Sequence, residues 1–195
     1  MSKKDEILDI ASKTFREFGY QKANLSYIAG QCGMNKAGLY YYFKNKEDLF
    51  MSMLKKDIGN IQDKITSILS EPEDLYERLS NFMIYRTSSF GLVKKYLDMF
   101  SQGVAPPNLR NLAFSVKHSF NEYEIDLLTG YLSQYIEYYS LKGVKPYYLA
   151  LTLTGVSEKI GLLSFHENVR MDIEETIDEV LGLLNLKHLK EKEKY

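Results

Sequence analysis

The amino-acid sequence predicts an all-α protein: an N-terminal three-helix domain joined by a continuous helix to a larger C-terminal helical domain. Apolar residues recur at alternating steps of three and four along most of the 195 residues, which is the period of one helical face. Pro72, Pro106, Pro107 and Pro146 stand only where those patterns break. No stretch reads as strand-rich. The patterns place helices over residues 3–18, 24–32, 36–43, 46–70, 74–89, 92–101, 108–141, 146–166 and 172–188, and the domains at residues 1–46 and 47–195.

The first helix carries Ile7, Leu8, Ala11 and Phe15 on one side and ends at Gly19-Tyr20. In the second, Leu25, Ile28, Ala29 and Cys32 share a face. Gly33 follows, where a helix end favours a residue that accepts a left-handed backbone. Met34 can plug the corner, and Asn35 offers an oxygen to cap the next helix. In that helix Leu39 and Phe43 are anchors, leaving Lys36, Ala37, Tyr40, Tyr41 and Tyr42 to project outward. Consecutive helical residues point about 100° apart, so three tyrosines cannot share one buried face. Tyr40 is assigned the partly structural place. Lys44, Asn45 and Lys46 lead into the next helix, with Asn45 as its cap. Helix, glycine turn and helix form the helix-turn-helix pattern, whose second helix enters the DNA major groove.

On that reading Lys36 and Ala37 sit nearest the base edges, where lysine can donate to guanine and a methyl can touch thymine. The hydroxyls of Tyr40, Tyr41 and Tyr42 and the amine of Lys46 would bind phosphate, which sets register without reading sequence. Free amides at the start of the Lys46 helix serve the same purpose. Asn24 and Ser26 are further backbone contacts. Charge agrees: residues 1–56 hold ten Lys/Arg and six Asp/Glu, a net +4, while the remainder holds fifteen and twenty, a net −5.

This stretch resembles the DNA-binding region of the TetR (tetracycline-repressor) family of transcriptional regulators. The resemblance rests on Ile7, Leu8, Ala11, Phe15, Gly19-Tyr20, Ile28-Ala29, Cys32-Gly33-Met34, Lys36, Leu39-Tyr40, Phe43, Lys46-Glu47 and Leu49, about the first quarter of the chain. Beyond it, only length and helical layout match. Ala23 departs from a common threonine, Ala37 from a glycine and Tyr42 from a histidine, and Asn24 can take over the capping role. The resemblance implies a homodimer on a palindromic double-stranded operator, released by a small molecule that enters the C-terminal domain.

The C-terminal domain carries features such a device needs. Helix 46–70 is a rigid connector. Helix 146–166 bears Leu149, Leu153, Val156, Ile160 and Leu163, and helix 172–188 bears Ile173, Ile177, Val180 and Leu184. These stripes are assigned to the dimer interface, as the resemblance implies a four-helix contact. The bland reading is that both face the subunit's own core. A second stripe on helix 146–166, Leu151, Gly155, Glu158, Leu162 and Phe165, lies about 200° away, so this helix needs two partners.

Polar residues on apolar faces mark a candidate ligand pocket. Helix 108–141 has the stripe Phe114, His118, Asn121, Ile125, Leu128, Leu132, Tyr135 and Tyr139. Arg86 sits in the row Leu75, Leu79, Phe82, Arg86. Phe82, Arg86, Phe114, His118, Asn121, Tyr135 and Glu158 are the candidate ligand residues. Such polar groups either satisfy one another, as an Arg86–Glu158 pair would, or meet a ligand. An unpaired Glu158 favours a cationic aromatic ligand and an unpaired Arg86 an acidic one.

The rest of the sequence narrows the class. Cys32 is the single cysteine and allows no internal disulfide. No signal peptide or membrane span is read, so a cytoplasmic protein without membrane contact is expected. No metal-ligand spacing, cofactor motif, phosphate loop or nucleophile elbow appears, and His118, His166 and His188 lie far apart. No enzyme is expected. The alternative to a ligand-responsive repressor is a helical small-molecule sensor or interaction dimer that lacks sequence-specific DNA binding.

Overall fold

The computed structural model describes residues 2–101, 107–138, 143–164, 170–184 and 186, and every regular element among them is a helix. In chain order these are α1 (Lys3–Lys22), α2 (Leu25–Gln31), α3 (Lys36–Tyr42), α4 (Lys46–Leu69), α5 (Leu75–Ser101), α6 (Pro107–Tyr138), α7 (Pro146–Ser164) and α8 (Ile173–Leu183). The predicted helical residues 139–141, 165, 166, 185, 187 and 188 lie outside the described residues. Several ends shift by a residue or so and α8 stops at Leu183, and two further departures stand out. α1 continues past residue 18 through Gly19, whose φ of 75° kinks the helix. The predicted helices 74–89 and 92–101 are one, α5. A glycine inside a helix costs only about 1 kcal/mol against alanine, and Gly91 stays helical with its buried neighbour Phe90.

The chain forms two compact units. Unit one comprises residues 1–60 and 94–119, and unit two residues 61–93 and 120–195. The division therefore falls within α4, α5 and α6.

Unit one is built around an aromatic knot. Phe15 meets Phe50 edge-on at 5.0 Å, and Tyr20 meets Phe50 edge-on at 5.3 Å. Ile7, Ala11, Ile28, Ala29, Leu39, Phe43, Leu49 and Met53 complete the core. Ser2 starts α1 with a reciprocal capping box to Asp5. Polar clasps fasten α4 to α1. Lys56 Nζ donates to Asp9 Oδ1 at 2.7 Å and to the Asp5 carbonyl at 3.1 Å, and the Ser12 hydroxyl donates to Asp57 at 2.7 Å.

Unit two depends on a close approach between α5 and α7. A Cβ added to Gly161 would lie 2.8 Å from Phe90 Cβ and 2.9 Å from the Thr87 carbonyl oxygen. Beside that contact the Thr87 hydroxyl donates to the Ser157 carbonyl at 3.2 Å, and both residues are buried. The Tyr76 hydroxyl on α5 bonds to Asp178 on α8. Gly161→Ala should push α5 and α7 apart and cost about 1–3 kcal/mol, read as a lower urea midpoint. Gly130→Ala is the control, since nothing lies within 4 Å of its Cβ position. Helix propensity should make that change neutral or slightly stabilising. Equal midpoints for the two variants would reject the close-approach account.

Candidate nucleic-acid interface and buried polar cluster

Local hydrogen bonds shape α2 and α3. Asn24 caps α2 by accepting from the Ser26 N–H at 2.8 Å, and Ala23 beside it is buried at the end of α1. Gly33, with φ 66°, reverses the chain after α2, and the Met34 N–H returns to the Ala29 carbonyl at 3.0 Å. Asn35 caps α3 by accepting from the Gly38 N–H at 2.8 Å. Leu39 and Phe43 are buried and hold α3 by one side. Lys36, Ala37, Tyr40 and Tyr41 are exposed, with Tyr41 85% accessible. At about 100° per residue these four span roughly 140° of the helix, a continuous outward face. Lys36 Nζ lies 5.8 Å from the Tyr40 ring centroid.

Two expectations for this region change. Tyr40 is exposed and Tyr42 is half-buried, so Tyr42 is the partly structural tyrosine. Lys46 is half-buried and bonded within the protein. Its amine donates to the Gln21 carbonyl at 3.0 Å and sits 5.0 Å from the Tyr20 ring centroid, and burial lowers its pKa. It latches α4 to the end of α1 instead of presenting a free cation. Lys44, which is not among the contacts expected from the sequence, is exposed at the entrance to α4. Asn45 caps α4 by accepting from the Asp48 N–H at 2.8 Å, and Asn24 and Ser26 are exposed.

The second constellation lies inside unit two. Arg86 on α5 is only 2% exposed, and its Nε is 2.6 Å from Glu124 Oε1 and 2.8 Å from Oε2 on α6. Glu124 is 1% exposed. The more exposed Glu158 on α7 lies 3.9 Å from Arg86 Nη2. The Phe120 ring faces the guanidinium at 5.3 Å. Arg86 Nη1 and Asn121 Oδ1 are buried without a hydrogen-bond partner in the protein. The expected Arg86–Glu158 pair is thus secondary to Arg86–Glu124. Glu124 was legible by the rule that singled out Arg86, because it breaks the apolar row Phe120, Glu124, Leu128, Leu132.

Burial pushes the Glu124 pKa up to about 7 despite the opposing pull of Arg86, and Glu158 adds to the rise. The folded chain therefore holds this proton more tightly than the unfolded chain does. The stability it contributes is full below the ordinary carboxylate range and is lost as pH rises through about 7. Urea resistance should fall from about pH 5 to about pH 8, by roughly 3 kcal/mol at most. Glu124→Gln should flatten that slope. An unchanged slope would assign the effect to another group.

The other candidate ligand residues scatter. Phe82 is buried, and Tyr135 is half-buried with the Arg78 guanidinium 5.2 Å from its ring. Phe114 and His118 fall in unit one and are exposed, Phe114 by 51%, so they leave the cluster. Unit one has its own cleft of about 690 Å³, where Met51 and Lys55 of α4 face Leu109 and Leu112 of α6. None of the candidate ligand residues lines it.

The predicted dimer stripe is internal in part. Leu149, Leu153 and Ile160 of α7 and Ile177 of α8 are buried within the subunit, while Val156, Leu163, Ile173, Val180 and Leu184 are half-buried. The outward face of α7 is the other stripe: Leu151 and Gly155, with Tyr147 and Tyr148 at its start. On α8, Leu183 is 85% exposed. Phe165, at the end of the second stripe, lies outside the described residues.

Comparison with known proteins agrees with the helix-turn-helix geometry. Residues 7–53 match the family described as bacterial regulatory proteins, tetR family. The fatty acid metabolism regulator protein of Bacillus subtilis (strain 168) is 33% identical over 128 residues, which are 66% of this chain and 61% of that protein's length. Among solved structures, FadR from Bacillus subtilis in complex with stearoyl-CoA aligns at a TM-score of 0.66 and 23% identity, covering 92% of this chain and 96% of that one. AibR in complex with isovaleryl coenzyme A and operator DNA aligns at 0.60 and 21%, covering 93% and 97%. These structural likenesses carry the fold of nearly the whole chain. No helix among the described residues is long and apolar enough to cross a membrane. With its capped α2–turn–α3 unit inside it, the segment 7–53 is the part of the chain that matches the tetR family of bacterial regulatory proteins.

Proposed function

We propose that this protein is a homodimeric transcriptional repressor. It binds a palindromic operator through α3 and releases it when a small hydrophobic ligand enters unit two. The observation that carries this reading is the outward face of α3, where Lys36, Ala37, Tyr40 and Tyr41 are exposed on a helix pinned by Leu39 and Phe43. Such a face fits the major groove. The relatives support both halves of the proposal: one is named as a fatty acid metabolism regulator, and two structural neighbours hold acyl-coenzyme A, one of them on operator DNA. A fatty acyl compound is therefore the first ligand class to test. The ligand acts by binding the DNA-incompetent state more tightly, which shifts the population away from DNA. Catalysis has no part in this reading.

Two-fold operator recognition requires two recognition helices, and the outward stripe of α7 is the dimer contact we assign. Leu151→Glu should place a charge in that contact, turn dimer into monomer by sedimentation, and abolish tight operator binding. A variant that stays dimeric would remove this surface from the interface.

The test of the function is selection from random duplexes. The winner and a scrambled duplex are then titrated at two salt concentrations. A palindromic winner bound at least about 10³-fold more tightly than the scramble supports the proposal. Equal, salt-sensitive binding to both rejects it in favour of the sensor that lacks operator reading.

A further inference from the structure

Unit one holds a cleft that operator reading by α3 does not use. One wall is α4 and the other is the start of α6, and the space between them is about 690 Å³. That volume suits a small-molecule site. The middle of the lining is apolar: Met51 and Leu109 are buried, and Leu112 is 46% exposed beside them. An apolar body laid over Leu112 would remove that surface from water, which is favourable.

Charge is divided along the α4 wall. Asp48, Met51 and Lys55 follow at steps of three and four, so they share one side of the helix, with about 10 Å of rise from first to last. The acids stand at the start of α4, and both are engaged. Asp48 Oδ2 accepts from the Lys44 N–H at 2.9 Å as part of the α4 cap. Glu47 interacts inside the protein, and it adds to the rise in the Tyr20 pKa that comes first from burial. Across about 10 Å of water their repulsion on an anion at Lys55 is largely screened.

Lys55 stands at the other end. Among the described residues it is the one charged group lining the cleft beyond Asp48. Neighbouring lysines give the contrast. Lys46 and Lys56 are bonded to α1, through the Gln21 carbonyl and Asp9, whereas the Lys55 amine has no hydrogen bond or ion pair among the described residues. An apolar trough with an uncommitted cation at one end is complementary to an amphipathic anion.

We propose that this cleft binds a small amphipathic anion, its charged head on Lys55 and its alkyl body along Met51, Leu109 and Leu112. Lysine acts as a point charge, so a carboxylate and a phosphate head share the chemistry required. The site lies within unit one and is separate from the effector site proposed in unit two. Its α4 wall begins at Lys44, one residue after the Phe43 anchor of α3, so an occupant adjoins the segment that holds the recognition helix.

The test is nuclear magnetic resonance of the full-length protein with isotope-labelled methionine methyl groups. The Met51 signal, assigned with Met51→Leu, reports on the cleft, and Met83, buried in unit two, reports on the other unit. Decanoate, decyl phosphate and uncharged decanol are titrated below their aggregation concentrations. At least one of the two anions should shift Met51 saturably, and decanol should bind there about fivefold more weakly, the size of one exposed charge contact. Lys55→Gln should cost the anion a similar factor and leave decanol unchanged. Lys55 is exposed, so the variant should fold as the parent does.

A Met51 signal unmoved by both anions overturns the proposal. So does decanol binding at Met51 as tightly as the anions, or a Lys55→Gln variant with undiminished anion affinity. Shifts confined to Met83 would put the alkyl chain in unit two: the cleft proposal falls and the ligand-responsive repressor stands.

Discussion

Replacing Arg86 by alanine is expected to destabilise the protein by about 3–5 kcal/mol, the usual penalty for stranding one member of a buried ion pair. Glu124 is 1% exposed and has its closest cation in Arg86 Nε, at 2.6 Å. With the guanidinium gone, the carboxylate must stay protonated or bring water into the core. The deficit should therefore be largest at high pH, where deprotonation is otherwise favoured, and should narrow towards about pH 5. Arg86→Met with Glu124→Leu should recover most of the loss, because an apolar pair of similar volume carries no desolvation penalty. Urea denaturation of the single and double variants at two pH values makes the measurement. A single variant within about 1 kcal/mol of the parent would show that the pair contributes little.

Charge reversal at the start of α3 is expected to cost about 10²-fold in operator affinity. A base or phosphate contact is worth about 1–3 kcal/mol, and a palindromic site uses each residue twice. Lys36 is exposed, with its amine over the Tyr40 ring, so Lys36→Glu should leave the thermal midpoint near that of the parent. Tyr41→Ala, which removes a side chain 85% exposed, should weaken selected and scrambled duplexes by similar factors, as a phosphate contact does. Ala37→Gln should instead change which base is preferred, because its side chain can reach a base edge. Unchanged operator affinity for Lys36→Glu would remove α3 from the interface. A lowered thermal midpoint would mean that Lys36 acts through folding.

These two predictions draw on different depths of information. The α3 face follows from residues close together in the chain. Asn24, Asn35 and Asn45 each accept a hydrogen bond from an N–H two or three positions on, and Gly33 takes the left-handed turn in place. Caps and turns of this kind are local chemistry, so α2, α3 and the start of α4 could be read to within a residue or so. Leu39 within α3 and Phe43 just past its end anchor one side of a short helix, which leaves the opposite side outward whatever packs beneath it.

The inward faces of α6 and α7 are another matter. α6 carries apolar or aromatic residues at nearly every angle, so steps of three and four fit more than one stripe. The stripe read from the sequence includes Phe114 and His118, which are exposed, and the buried Leu128 and Leu132, but leaves out the buried Phe120 and Glu124. On α7 both stripes are visible, and three residues of the one assigned to a second subunit, Leu149, Leu153 and Ile160, are buried within the subunit. Gly161 explains the orientation. It is the position where α7 can approach Phe90 and Thr87 of α5 closely, and this turns Leu153 and Ile160 inward and Leu151 outward.

Local hydrogen bonding and helical period, both written in the sequence, determined the class of fold, the helix ends and the exposed face of α3. Tertiary packing alone decided which carboxylate holds Arg86, 38 positions away on another helix, and which side of α7 faces away from the subunit's core. The physical reason is that periodicity specifies a helix but not its rotation. Rotation is chosen by the close contacts and buried charges that two helices must satisfy together.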